Sequence, residues 1–304
     1  MDNYKAADAK IRALRLSELL ALDSFAVPPH HGGLFDSILL GTERTEAGAK
    51  KVSVLAPGVT HCSRYLSLAE SVQLAATTLL RHINPPNQSN LSRLDPSGDY
   101  VDLFRRQLPA WTRLRWVTQG HQYEWTARTF DGEVPLPVIF KELAQDVVAL
   151  VEAEGSLGGW TGSYCPDTSI VNLYREKDRL RGHVDDVEED AEAPLVTVSL
   201  GQSAIFLLGG ATRATSPVPV YLESGDVLVL SGCARRLVHG VTSTVMFHAN
   251  RGKPPLAAIS VPPHIVDEAT SALGPELTRD AVERTLSFLT TARVNISVRQ
   301  RLSV

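Results

Sequence analysis

SIVNLYREKDRLRGHVDDVEEDAEAPLVTVSLGQSAIFLLGGATRATSPVPVYLESGDVLVL, residues 169–230, breaks into short apolar runs. SIVNLY, RGHVD, LVTVSL, AIFLL, VPVYL and DVLVL are each too short for a stable helix and rich in β-branched residues. Acidic, Gly- or Pro-containing turns separate them, which predicts strands. RVNISVRQ, residues 293–300, adds another near the end. Many short strands with few helices predict an antiparallel sandwich or barrel rather than a nucleotide-binding sheet. Gly209 and Gly210 open no helix, so they read as a hairpin turn and not as a phosphate loop.

Upstream, LRWVTQG from Leu114 and QYEWTARTF read as further strands, and Pro135 and Pro137 punctuate the entry to a helix containing Phe140 to Val151. Residues 7–22 have leucines and alanines at helical spacing, and PPHHGGLF, residues 28–35, is a breaker in which His30 and His31 read as loop. Ser67 with Glu70 three positions later predicts a capping box before an amphipathic helix. A Pro-, Asn- and Ser-rich surface loop follows from Ile83 to about Tyr100. The expected organisation is an N-terminal helical and loop extension over residues 1–109 and one catalytic domain over 110–304. Residues 249–278 read as an excursion containing a short helix near Ile265 to Leu273.

The 304 residues carry 30 basic and 34 acidic side chains. A net charge of -4 gives no overall field toward nucleic acid or anionic membrane, so any such contact must come from a local patch. Cys62, Cys165 and Cys233 form no CxxC pair, which argues against a disulfide scaffold or structural zinc. The opening MDNYKAADAKIRALRLSELLALD lacks the long apolar run of a secretory signal or membrane span. An intracellular protein is expected, in nucleus or cytoplasm with the mitochondrion open, with no membrane and no obligate protein partner.

His183 and Asp185 stand two apart on one strand, where alternate residues share a face. His239, in LVHGV after DVLVL and SGCAR, arrives from a distant strand. Two imidazoles and a carboxylate can hold a non-haem Fe(II) on one face and leave the opposite positions open, as in a metal-dependent oxygenase. The arginines of the terminal strand suggest an acidic organic co-substrate beside it. Asp186 faces away on strand alternation, and the acidic run from Glu188 to Asp190 reads as a turn face. His121, His248 and His264 have no comparable setting.

NLYREKDRLRGHVDDVEEDAEAPLVTVSLGQSAIFLLGG, SGDVLVLSGCARRLVHGV and RVNISVRQ together resemble the AlkB family of Fe(II)- and 2-oxoglutarate-dependent dioxygenases. The resemblance covers about Leu114 to Gln300 and is strongest toward the first eukaryotic AlkB-homologue subfamily, with relatives in fungi and plants. It implies a double-stranded β-helix, or jelly roll: mainly β with flanking helices, the metal lying between two sheets. It further implies that His183, Asp185 and His239 ligate iron, and that Asn172 and Tyr174 form the pair beside 2-oxoglutarate. Arg293, Asn295 and Arg299 match the family's tail strand. On that basis Arg293 clamps the distal carboxylate with help from Tyr174, a task suited to a bidentate guanidinium. Arg299 and Asn172 lie near the end that chelates iron.

The implied cofactors are Fe(II), 2-oxoglutarate and O2, and the implied reaction is oxidative N-demethylation of a methylated base in DNA or RNA. The strand would be single, bulged, or carrying a flipped base. Tyr123, Trp125 and, less so, Trp116 are candidates to stack on that base. Arg179, Arg181 and Arg235 are candidates to hold phosphates, with Arg175 and Lys177 in the same basic interval. Two residues beyond the iron Asp, bacterial repair enzymes of this family have another carboxylate, whereas this chain has Val187. An apolar residue there favours a neutral base such as N6-methyladenine over a cationic one such as 1-methyladenine. Methylated transfer RNA, or hydroxylation of a protein or small molecule, is the alternative.

Overall fold

The computed structural model describes residues 2–14, 50–92, 94–95, 98–124, 126–175, 178–245, 263–272 and 278–302. Two antiparallel sheets dominate it. The larger has eight strands in spatial order β1 (Lys51–Ala56), β2 (Val59–Ser63), β10 (Val227–Leu230), β7 (Leu195–Gly201), β12 (Ala292–Arg299), β5 (Thr168–Arg175), β3 (Trp116–Glu124) and β4 (Thr129–Glu133). The smaller has four: β6 (Leu180–His183), β11 (His239–Val245), β8 (Ser203–Leu208) and β9 (Val218–Leu222). This is the expected double-stranded β-helix with flanking helices.

Period-two alternation sorts the core into layers. On β7 and β12, Val196, Val198, Val294 and Ile296 point outward into a cluster with Val72, Leu79, Phe140 and Val147. Those last four come from helices α2 (Leu68–Arg81) and α3 (Val138–Ala153), which cover the large sheet. Residues between the sheets form a second cluster, including Tyr174, Leu195, Phe206, Leu228 and Leu230. On the small sheet's far side, Ile205 and Leu207 pack on Tyr4 and Ile11 of helix α1 (Asn3–Ala13). Strands buried on both faces explain why the sequence reads as near-continuous apolar runs.

The expected capping box is formed: Ser67 Oγ accepts from the Glu70 amide at 3.3 Å and Glu70 Oε2 from the Ser67 amide at 2.7 Å. A short helix, α4, occupies Pro263–Ala272, close to the expected one, and α5 (Arg279–Leu289) leads into β12. The sequence reading made the N-terminal part helix and loop, yet β1 and β2 pair there and β2 hydrogen-bonds to β10. KVSVLAPGVTHCS is a hairpin whose tight turn holds Gly58 at φ +73°; a Cβ there would meet the Ser231 carbonyl at 2.2 Å. QYEWTARTF, read as one strand, is the β3–β4 turn and its flanks. The His30–His31 loop, Lys177, His248 and residues 249–262 lie outside the described residues. Among the described residues, no helix is long and apolar enough to cross a membrane.

Candidate metal centre

His183 ends β6, and His239 begins β11 directly opposite it in register. Antiparallel pairing therefore brings together two imidazoles separated by 56 positions, their rings 4.5 Å apart. Asp185, just past the end of β6, turns back to the same point. Its Oδ1 lies 3.6 Å from His183 Nε2 and its Oδ2 3.5 Å from His239 Nε2. One ligand atom from each of the three lies within 4.8 Å of the others, the spacing of a metal site.

Each histidine Nδ1 sits 2.9 Å from a backbone carbonyl, Arg181 for His183 and Leu237 for His239. A carbonyl only accepts, so Nδ1 carries the proton and Nε2 presents its lone pair to the cluster. Burial, with His239 adjacent, lowers the pKa of His183 and favours the neutral ligating form. Burial pulls the Asp185 carboxyl upward, but Arg299 and both imidazoles outweigh it and hold the group well below the usual range. The Phe206 ring stacks on His239 at 5.6 Å, fixing its plane.

The cluster opens into a cavity of about 530 Å³ between the sheets. Its floor is a strip of alternating side chains: Arg293, Asn295, Ser297 and Arg299 from β12, and Asn172 and Tyr174 from β5. Register pairs Arg293 with Tyr174 and Asn295 with Asn172 across the two strands. Arg293 is fully buried and lies 5.3 Å from the Tyr174 ring. Its Nη2 donates to Asn295 Oδ1 at 2.6 Å and Ser199 Oγ at 3.0 Å, while Nε and Nη1 have no partner among the described residues. With no compensating carboxylate among the described residues, burial pushes its pKa down to about 10. Burial also raises the Tyr174 phenol to about 12, so it stays a donor. A buried cation with two free donor nitrogens beside a protonated phenol is a receptor for an anionic group.

Of the other candidates, Arg179 and Arg181 are exposed and line the cavity mouth. Tyr123 is buried on β3 against Phe130, with centroids 5.4 Å apart, and Val187 is half-buried; among the described residues, neither lines the cavity. Trp125 lies outside the described residues. Arg235 was expected near phosphates but is completely buried, donating to Glu188 Oε2 at 2.9 Å and to the Ala193 carbonyl. A guanidinium enclosed this way cannot reach a backbone phosphate. Glu188, expected on an exposed turn, is likewise buried between Arg235 and Arg299. Asp186 does face away, toward Arg128. Arg175 donates to the Leu114 and Trp111 carbonyls, so it acts as a brace.

The model of the 2OG-Fe(II) oxygenase superfamily matches residues 58–299. The tRNA demethylase abh1 of Schizosaccharomyces pombe is 30% identical over 213 residues, spanning 62% of this chain and 69% of that protein. This chain belongs to the AlkB family of 2OG-Fe(II) oxygenases. Within that family it is similar to the ALKBH1 group: the DNA N(6)-methyladenine demethylase ALKBH1A of Arabidopsis thaliana is 32% identical over 191 residues, 62% of this chain. The match spans about half, 49%, of that relative's length. The solved structure of OsALKBH1 covers 82% of this AlkB-family chain and 100% of its own, with TM-score 0.52 and 20% identity, a likeness of fold.

Proposed function

We propose that this chain is an Fe(II)- and 2-oxoglutarate-dependent dioxygenase that removes N-methyl groups from nucleic-acid bases, N6-methyladenine in DNA foremost. One observation carries the reading. A two-His, one-Asp cluster and a buried arginine without a carboxylate partner among the described residues share one cavity, the requirements of a metal and a dicarboxylate bound together. His183, Asp185 and His239 would hold the iron, Arg293 and Tyr174 the distal carboxylate, and Asn172 and Arg299 would flank the chelating end. When bound, the iron with 2-oxoglutarate and O2 supplies the oxidant that hydroxylates an N-methyl carbon. The products are formaldehyde and the unmethylated nitrogen, with succinate and CO2.

The chain's own residues bind and orient. The Nδ1–carbonyl bonds fix both imidazoles, and the apolar walls of Leu195, Phe206 and Leu228 limit water in the cavity. Nucleic acid is favoured by the demethylase activities of the relatives and by the cavity mouth. There Arg179 and Arg181 continue into a second cleft of about 350 Å³ lined also by Lys5, Arg12 and Arg213, with Asp8 paired to Arg12, a locally basic surface on an acidic protein. Asp185 is the one carboxylate among the described residues lining the cavity, and it faces the histidines. This favours a neutral base. The S. pombe relative makes methylated transfer RNA the second substrate to test.

The test is mass spectrometry of formaldehyde and nucleosides after incubation with Fe(II), 2-oxoglutarate and matched DNA and RNA containing N6-methyladenine or 1-methyladenine. His183→Ala and Asp185→Ala serve as controls. Triad-dependent adenosine or deoxyadenosine product is expected; 2-oxoglutarate turnover without any nucleoside product would remove the nucleic-acid reading.

A further inference from the structure

The loop after Asp185 contains a buried carboxylate that the proposed reaction does not use. Glu188 is 4% exposed and lies between two guanidiniums: Oε2 accepts from Arg235 Nη2 at 2.9 Å, and Oε1 from Arg299 Nη1 at 2.7 Å. That same Nη1 is 3.4 Å from Asp185 Oδ1. The order Arg235, Glu188, Arg299, Asp185 is thus a line of alternating charge ending at the metal cluster. Backbone bonds hold the loop in place, with the Glu189 amide donating to the Arg301 carbonyl at 2.9 Å. Neighbouring Asp186 points outward to Arg128, so two adjacent turn carboxylates have opposite surroundings.

The two distances on Arg299 decide what the line does. A guanidinium meeting a carboxylate alone closes to a short bidentate pair. Such a pair on Asp185 would occupy the oxygens a metal needs. Here the short bond goes to Glu188, and the longer separation to Asp185 leaves its oxygens available to the cluster. Arg235, bonded on the far side, holds Glu188 in turn. Without the Glu188 charge, Arg299 has only Asp185 as a carboxylate partner among the described residues, and its positive charge beside the metal is no longer balanced.

We propose that Glu188 is a positioning residue of the metal centre: it anchors Arg299 so that Asp185 remains free to ligate. The inference rests on His183, Asp185 and His239 being metal ligands. The experiment measures Mn(II) affinity by electron paramagnetic resonance, and the visible spectrum of the Co(II) form, on the full chain without substrate.

Glu188→Gln, folded by circular dichroism, is expected to weaken Mn(II) binding at least tenfold and to alter the Co(II) spectrum. Asp186→Asn is expected to stay within twofold of wild type. Because the effect runs through Arg299, adding Glu188→Gln to Arg299→Gln should change affinity less than threefold. Glu188→Asp keeps the charge but is one methylene too short to hold the same bond, so it should fall between; if Glu188→Gln does not fold, wild-type Mn(II) affinity in Glu188→Asp overturns the inference. Wild-type affinity and spectrum in Glu188→Gln, whatever its melting temperature, would make the line merely structural and overturn it alone. Failure of the wild-type chain to bind Mn(II) would remove the metal reading and this inference with it.

Discussion

Replacing Arg293 by Met should stabilise the metal-free fold while abolishing its response to 2-oxoglutarate. The depression of the Arg293 pKa from 12.5 to about 10 corresponds, at 1.36 kcal/mol per pKa unit, to about 3 kcal/mol of unfavourable burial. The sign follows from linkage: a base whose folded pKa is depressed is charged in both states at neutral pH, so folding carries the full cost there. That cost is relieved only as pH rises through the folded pKa. Methionine removes the charge at similar length. It also leaves Ser199 Oγ and Asn295 Oδ1 without their donor, at about 1 kcal/mol each. The balance is a gain of about 1 kcal/mol, or roughly 2–4 °C in melting temperature.

The ligand side has the opposite sign. Two charge-assisted hydrogen bonds at about 1.5–3 kcal/mol each should weaken 2-oxoglutarate by a factor on the order of 100 or more. Wild type loaded with Mn(II), at 2-oxoglutarate a hundredfold above its Kd, gains about 2.7 kcal/mol, and the variant almost none. Arg293→Lys, which keeps charge without the planar fork, should recover only part of that gain. Thermal melts with and without 2-oxoglutarate read both effects. A variant that melts below wild type yet keeps its full ligand shift would refute the reasoning.

Three further outcomes are expected. Gly240 faces β6 so closely that a Cβ would meet the Leu180 carbonyl at 2.7 Å; Gly240→Ala should separate His239 from His183 and reduce Mn(II) affinity more than tenfold, read by titration. Arg179→Ala with Arg181→Ala should weaken oligonucleotide binding and lower the slope of log K against log salt by about 1.4 on single strands, read by fluorescence anisotropy, with metal affinity unchanged. Ser67→Ala should cost about 1 kcal/mol by urea unfolding. The Ser67 backbone bond lowers the Glu70 pKa, so Glu70's contribution is fully present above its unfolded pKa. It fades as pH falls through the folded pKa, so the destabilisation caused by Glu70→Ala should be smaller at pH 3 than at pH 7.

The architecture was legible because β-strands advertise themselves by period two. LVTVSL and RVNISVR alternate between a helix-covered face and a cavity face, and the polar members of RVNISVR are the cavity floor. The triad was legible because His183 and Asp185 stand two apart and His239 follows a distant strand, but nothing local says that His239 pairs in register with His183; only the fold shows that. Thr197 and Ser199 were missed although the same alternation places them beside Ser297 and Asn295. Glu188 and Arg235 were misjudged for a physical reason. Sequence marks them as charged turn residues, and only the fold reveals that each is the other's buried counter-ion. β1 and β2 were missed because short strands around a Pro-Gly turn carry little pattern before pairing.

The most direct test of the site is an anaerobic titration of the Fe(II)-loaded chain with 2-oxoglutarate, following the visible charge-transfer absorption of a chelated oxo-acid. The wild-type chain should develop the band at saturating 2-oxoglutarate. His183→Ala should lack it, and Arg293→Met should need at least about a hundredfold more ligand, the equivalent of losing two charge-assisted bonds. A wild-type chain that binds Fe(II) without developing the band, or an Arg293→Met chain that titrates like wild type, would contradict a shared site for metal and dicarboxylate.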